Sequence, residues 1–268
     1  MTQQEYVARG LALSREAGVL DTLHGYFVQQ LPRLQRTCER FELFDRKLGD
    51  VLEVGPFYSY TPFMFRKNAR SYRVLEGDDP AAYPLKPLYE KHDVKADFED
   101  LFELFGPKHG APHRLNYPDA SFDTLLCWET MEHFNFNPVK FARELHRVTR
   151  PGGRVFITVP NRASFQSLAA LLVGRGEASH IDAFFQYEDY VSNGKKAFYG
   201  FHWHEYTVNE LRFLFARAGF QVARCGTIVA FQEHSHTSTL RRWARCVNQV
   251  MGKVLPRFGT HVFLEAIR

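Results

Sequence analysis

From Asp50 onward the chain alternates short apolar runs with helical patterns, and this rhythm is the strongest constraint on its fold. The runs are Val51–Val54, Tyr72–Leu75, a weaker Asp93–Ala96, Thr124–Cys127 and Val155–Val159. Each is the length of a buried strand, and the intervals are long enough for crossover connections that bring the next strand back parallel to the last. One interval is explicit: Asn137 caps a helix that opens on Pro138 and closes at Val148, and Pro151-Gly152-Gly153 turns the chain into the following strand. A second helix, Val208–Ala218, starts from Thr207 with Glu210 three residues on, a capping box, and stops at Gly219. Two further strands are expected over Gln221–Ala230 and His261–Ile267. The pattern specifies an α/β, doubly wound, Rossmann-like sheet.

Residues 1–46 carry no strong strand signal. Val19, Leu20, Leu23, Tyr26, Phe27 and Leu31 recur at helical spacing, so this segment is expected to be a helical extension packed on a domain spanning 47–268. Two insertions interrupt that domain, over 162–205 and 236–258. At 268 residues, with no internal repeat or low-complexity linker, the chain fits one large domain with additions. A net charge of +4, dispersed along the chain, gives no electrostatic footprint for a nucleic-acid partner. Cys38, Cys127, Cys225 and Cys246 form no CxxC pair, which fits reduced thiols rather than a disulfide frame or a zinc site. The opening MTQQEYVARG lacks the basic start and apolar run of a signal peptide. The longest apolar stretch, near Leu168–Val173, is far short of the roughly 20 residues that span a bilayer. A cytoplasmic location without stable membrane insertion is therefore expected; the oligomeric state is not legible.

The sharpest local feature is Glu53-Val54-Gly55 at the end of the first strand, followed by a turn in which Thr61 and Pro62 suit the N-cap and first position of a helix. Glycine there permits close approach of a nucleoside-type ligand to the strand end. Glu76 ends the second strand, where a carboxylate can accept hydrogen bonds from both ribose hydroxyls. The glycine pattern lacks the GxGxxG that a pyrophosphate needs, which argues against a nicotinamide oxidoreductase.

Together with Asn116–Asp123, the exit Cys127-Trp128-Glu129-Thr130-Met131-Glu132-His133, the stretch Phe141–Pro160, and Tyr206-Thr207 with Ala218-Gly219-Phe220, these residues resemble the class I methyltransferases that use S-adenosylmethionine. The resemblance covers roughly residues 50–225 and is closest to the small-molecule and glycan type. It departs in the first motif: Glu53 and Gly55 match, but Phe57 and Ser59 stand where two further glycines are usual. It implies a seven-stranded sheet ordered 3-2-1-4-5-7-6 with the last strand antiparallel, and S-adenosylmethionine as cofactor. By the same resemblance Glu53 and Gly55 would lie beneath the methionine part, Glu76 would hold the ribose, Asp97 and Phe98 would stand near the adenine, and Cys127, Trp128 and Glu129 would line the cofactor at the fourth strand; Pro56, Phe57, Ser59 and Gly77, beside these residues, are further expected cofactor contacts. The absence of an Asn-Pro-Pro-Tyr-type motif after that strand disfavours a DNA base as acceptor. Phe57 and Ser59 leave a second reading open, a non-catalytic partner protein of the same fold.

On the acceptor side, His133 follows the fourth strand and is either a general base or a brace for its loop. The 162–205 insertion stands where this fold builds an acceptor lid. It carries His180, Phe184, Phe185, Tyr187, Tyr190, Phe198, Tyr199, Phe201, His202, Trp203 and His204, of which Tyr199, His202, Trp203 and His204 are the expected substrate contacts. Such rings also suit a small core of the lid's own. Glycines 174, 176, 194 and 200 would let it bend. His202 and His204, with Glu205 beside them, or His234 and His236, invite a metal, since alternate positions on a strand share one face; two ligands do not make a site and no further one is identifiable, so none is expected. The basic stretch Leu240–Phe258 (Arg241, Arg242, Arg245, Lys253, Arg257 beside Trp243, Val247, Val250 and Leu255) is a solvated helix face or a surface for anionic lipid, which would suit a lipid-linked acceptor.

Overall fold

A computed structural model describes residues 3–16, 18, 20–78, 82–106, 110, 112–174, 191–192, 195–196, 201–230, 250–251 and 254–268. Seven strands form one sheet: β1 (Gly49–Val54), β2 (Ala69–Gly77), β3 (Lys95–Glu99), β4 (Phe122–Trp128), β5 (Thr149–Pro160), β6 (Gln221–Ile228) and β7 (His261–Ile267). Their order is β3-β2-β1-β4-β5-β7-β6; the first five are parallel, and β7 runs antiparallel to both neighbours. This is the order the resemblance implied. The strand order reverses between β1 and β4, so their carboxyl ends flank the crevice where such sheets bind ligands.

Helices α1 (Gln3–Glu16), α2 (Leu20–Arg40), α3 (Thr61–Phe65) and α4 (Lys86–Lys91) precede β3. They are followed by α5 (Leu101–Phe105), α6 (Pro138–Val148), α7 (Phe165–Leu172) and α8 (Val208–Arg217). Because strand side chains alternate, neighbouring residues of β1 feed different cores: Val51 packs with α2, and Leu52 packs with α5, α6 and α8. The N-terminal helices are thus the cover of one face of the sheet. Phe41, directly after α2, is wholly buried, with its ring 5.6 Å from Trp128, 5.0 Å from Phe156 and 5.9 Å from Phe263.

The caps read from the sequence are present. Asn137 accepts from the Val139 N–H (3.0 Å), and Thr207 and Glu210 exchange the two bonds of a capping box (3.3 and 2.7 Å). Three local expectations change. The third strand starts at Lys95 rather than Asp93, because Asp93 turns at φ +54° and the Val94 N–H closes α4 on the Tyr89 carbonyl (2.8 Å). The N-cap of α3 is Tyr60, at φ +58°, and not Thr61, whose hydroxyl is committed elsewhere. Strand β6 ends at Ile228, two residues early. At the amino ends of the strands, Arg150 bridges Asp50 and Asp123 (2.9 and 2.7 Å) and Arg70 joins both, fixing β1, β2 and β4 in register.

Of the expected lid, His180, Phe184, Phe185, Tyr187, Tyr190, Phe198 and Tyr199 lie outside the described residues. So do His234, His236 and most of the basic 240–258 stretch. The described part of the lid includes α7, capped by Ser164, and a two-residue antiparallel pair, 191–192 with 195–196. Among the described residues no helix is long and apolar enough to cross a membrane.

Phe41→Ala should destabilise the fold by about 3–5 kcal/mol, since it opens a cavity under β4, β5 and β7. Urea unfolding checks this; a loss under about 1 kcal/mol would mean the N-terminal helices are a dispensable cover.

Candidate active site

Strand β1 ends by turning at Gly55 (φ +61°), whose N–H donates to the Leu75 carbonyl (2.8 Å). A Cβ here would fall 2.7 Å from Thr130 Cγ2 and 2.8 Å from its hydroxyl. Gly55 is therefore demanded twice, by its left-handed backbone and by the loop after β4 pressing on it. Neither reason involves a ligand.

Two carboxyls stand at the ends of adjacent strands. Glu53 accepts from the Thr61 and Tyr72 hydroxyls (Tyr72 at 2.6 Å) and is wholly buried. Glu76 accepts on one oxygen from the Phe57 N–H (3.0 Å) and the Tyr89 hydroxyl (2.6 Å). Burial pushes each up to about 7, against hydrogen bonds that favour the charged form.

The loop above them is aromatic. Phe57 turns at φ +45°, and Tyr58 and Tyr60 are fully buried. The Tyr60 ring reaches back to the N-terminal helices: it meets Phe27 edge-on (4.9 Å), and its hydroxyl shares a hydrogen bond with Ser14 (2.7 Å). Arg9 bonds the Phe63 carbonyl (2.5 Å). Pro56 leads the turn, and the Ser59 hydroxyl bonds that of Thr61 (2.8 Å). Tyr60, one residue beyond the second missing glycine, thus anchors the loop to α1 and α2, an arrangement legible only once those helices are in place.

The other expected cofactor contacts divide. Gly77 is the last residue of β2, and Phe98 lies within β3, with Tyr83 edge-on to it at 5.6 Å. Asp97, expected just after the third strand, is inside it. Its carboxylate is taken by Arg73 (2.7 Å) and Tyr117 (2.8 Å). Cys127 and Trp128 are buried in the two cores on opposite faces. Glu129 (φ +48°) pairs with Arg33 of α2 (3.4 Å) and lies 3.5 Å from His261. Burial pushes His261 down to about 3, so it is neutral at pH 7. Arg33 and Tyr60 were missed by the sequence reading, since nothing in a helical pattern says which polar residue faces a distant strand end.

The turn after β4 and the segment 201–204 meet. The Trp203 and His204 N–H groups converge on the Glu132 carbonyl (2.7 and 3.3 Å), and His133 Nδ1 bonds the Phe201 carbonyl (3.1 Å). His202 Nδ1 bonds Glu205 (3.1 Å), and its ring stands edge-on to His133 at 4.9 Å. Burial drives His133 down to about 4. It is therefore neutral at pH 7 and a weak proton acceptor, which fits a brace better than a base. For His202 burial works downward, but Glu205 and Glu132 prevail and raise it. Burial pushes Glu132 up. The expectation that His202 and His204 share a strand face does not hold: the segment is irregular, and His204 turns away toward Glu210 (3.9 Å). Trp203 is partly exposed, its ring 4.8 Å from Phe201. Of the metal-capable pair suggested by the sequence only His202 remains, and it gathers instead with Glu132 and His133, one ligand atom of each lying within 4.8 Å of the others.

Residues 26–224 match the family described as a methyltransferase domain. A Mycolicibacterium smegmatis protein named a probable S-adenosylmethionine-dependent methyltransferase is 29% identical over 116 residues, 43% of this chain and 40% of its own. A Mycobacterium tuberculosis protein of the same description is 27% identical over 178 residues, 66% of this chain and 51% of its own. The chain thus spans about half the length of the curated relatives it matches. Among solved structures, an S-adenosylmethionine-dependent methyltransferase from Mesorhizobium loti superposes with a TM-score of 0.56 at 13% identity, covering 90% of this chain and 98% of that one. A chain in the complex between the Haloferax volcanii Trm112 methyltransferase activator and a methyltransferase gives 0.58 at 14% identity, covering 98% and 97%. These two likenesses speak for the fold.

Glu76 keeps its proton to about pH 7 when folded and to about 4.5 when unfolded, so the folded chain binds more protons across that window. Its contribution to stability is complete below pH 4.5 and is lost as pH rises through 7, by on the order of 3 kcal/mol. His133 and His261, depressed by burial, act in the opposite sense below about pH 6.5, so the comparison must be differential. Glu76→Gln retains an acceptor for both partners and should gain stability over the wild type between pH 5 and pH 8. A gap in Tm that stays constant with pH would overturn this account.

Proposed function

The chain belongs to the methyltransferase-domain family, and from that premise we propose that it moves the methyl group of S-adenosylmethionine to an oxygen or nitrogen of a small-molecule or glycan acceptor. The observation that carries this reading is the pair of buried carboxyls, Glu53 and Glu76, at the carboxyl ends of β1 and β2 where the strand order reverses. The cofactor supplies an electrophilic methyl on a sulfonium, open to in-line displacement.

Within this reading the chain's own residues bind, orient and exclude water. Glu76 receives ribose hydroxyls, with its Phe57 and Tyr89 bonds holding the carboxyl in place. Gly55 and Gly77 allow backbone approach, and Glu53 with Thr61 and Tyr72 sits beneath the methionine end. Phe98 and Tyr83, each with one ring face beneath the Lys86 ammonium (4.5 and 4.0 Å), stand on the side of the base. The lining fits such a ligand, because Thr158 Oγ1 on β5 is buried near this end of the sheet with no hydrogen-bond partner among the described residues. Cys127, Trp128, Asp97 and Glu129, each engaged within the protein, shape the crevice walls. The acceptor enters from the side of His202 and Trp203, with Tyr199 as a further expected contact. His133 holds the loop after β4 against residue 201, and Glu205 orients His202.

A second reading, a non-catalytic protein of this fold, is favoured by one observation: Phe57 stands where the resemblance has a glycine, and its N–H already engages one oxygen of Glu76 (3.0 Å).

Calorimetric titration with S-adenosylhomocysteine separates the two. Saturable binding at one site, weakened by Glu76→Ala, is expected; no binding to folded protein would leave the non-catalytic reading. His202→Ala should lower turnover about 10²-fold or more with S-adenosylhomocysteine affinity unchanged, measured as product release on an acceptor found by screening. Unchanged turnover would remove His202 from the reaction.

A further inference from the structure

We propose that Glu132, His133 and His202 form a binding site for one divalent first-row transition-metal ion of the zinc or cobalt type, with an open position toward the acceptor side. The three side chains offer one carboxylate oxygen and two imidazole nitrogens within 4.8 Å of one another. Each imidazole is oriented as a metal-binding imidazole is. His133 donates from Nδ1 to the Phe201 carbonyl (3.1 Å) and His202 from Nδ1 to the Glu205 carboxylate (3.1 Å), which turns the Nε2 lone pair of each to the far side of its ring. Glu132 is 1% exposed, and its Oε2 has no hydrogen-bond partner among the described residues. A buried carboxylate oxygen left bare is costly unless a donor or a cation meets it.

Glu132 and His133 do not satisfy one another. Glu132 Oε1 stands 3.9 Å from His133 Nε2, beyond a hydrogen bond. Around an ion with bonds of about 2.0–2.2 Å, ligand atoms lie roughly 3–3.5 Å apart. Side-chain rotations of about an ångström would therefore close the observed arrangement on an ion. The backbone holds the two contributing segments together for that purpose: the N–H groups of Trp203 and His204 bond the carbonyl of Glu132 itself (2.7 and 3.3 Å). Two imidazoles with one carboxylate suit zinc, cobalt, nickel or iron rather than magnesium or calcium, and three protein ligands leave a coordination position for water or a hydroxyl oxygen. Only that last role, polarising an acceptor hydroxyl, rests on the proposed methyl transfer; binding of the ion does not.

The full-length chain, stripped with a chelator, is dialysed against Zn²⁺ or Co²⁺ without cofactor or acceptor. Metal per chain is measured by mass spectrometry and Co²⁺ coordination by its visible absorption. One ion per chain and a ligand-field band are expected. Glu132→Gln and His202→Ala, each checked for folding by circular dichroism, should weaken binding by more than about 100-fold, beyond the cost of losing an outer-shell partner. His204→Ala, whose ring faces Glu210, should bind as the wild type does. Should Glu132→Gln fail to fold, His133→Ala takes its place. No stoichiometric metal, or metal held equally by the variants, overturns the proposal. S-adenosylhomocysteine binding, measured on the same samples, separates the two readings. Cofactor without metal removes this site alone, and metal without cofactor removes the methyl-transfer reading while this site stands.

Discussion

Burying two carboxyls at the ends of neighbouring parallel strands is the constraint around which this end of the molecule is built. Neither Glu53 nor Glu76 reaches solvent, so each has to find donors inside the protein. Glu53 recruits Thr61 and Tyr72, and Glu76 recruits Tyr89 and the Phe57 N–H. Placing that N–H requires Phe57 to adopt a left-handed turn, and recruiting Thr61 moves the cap of α3 to Tyr60, another left-handed residue. Strain at non-glycine positions persists only where the surroundings overdetermine it. Here α1 and α2 do so through Ser14, Phe27 and Arg9.

The two ends of the sheet solve their electrostatics in opposite ways. At the amino ends, Asp50 and Asp123 are matched by Arg70 and Arg150, and those bonds hold Asp50 well below the usual carboxylate range. At the carboxyl ends the acids are buried mostly among hydroxyls, and they sit near neutrality. The first arrangement fixes register. The second leaves groups whose hydrogen-bonding capacity and charge respond to whatever polar ligand enters the crevice, and this is where a binding site is expected in a doubly wound sheet.

Much of the fold was legible because it is written in local chemistry. The Asn137-Pro138 start, the Thr207/Glu210 box and the apolar runs need no partner elsewhere to be read, and all three stand in the structure. The third strand slipped by two residues because Asp93 and Val94 are spent on closing α4, a contest that strand propensity does not register. At the site the residue types were legible and their employment was not. Asp97 looked like a ligand group and is held by Arg73 and Tyr117. Glu132 looked like part of an exit motif and is the buried carboxyl that His202 and His133 surround.

The sequence by itself determined the layer architecture, the positions of Glu53, Gly55 and Glu76 at strand ends, and the family to which these belong. The architecture and the strand ends follow from periodicity and capping, which act over a few residues, and the family follows from the resemblance of the motifs. Tertiary structure alone decided that Gly55 answers to Thr130, that Tyr60 in the loop after β1 leans on the N-terminal helices, and that residue 202 returns to the turn after β4. The reason is physical. Contacts between segments far apart in the chain depend on how strands are ordered and where helices dock, and a side chain's burial and partners, hence its acidity and its chemistry, exist only after that packing is complete.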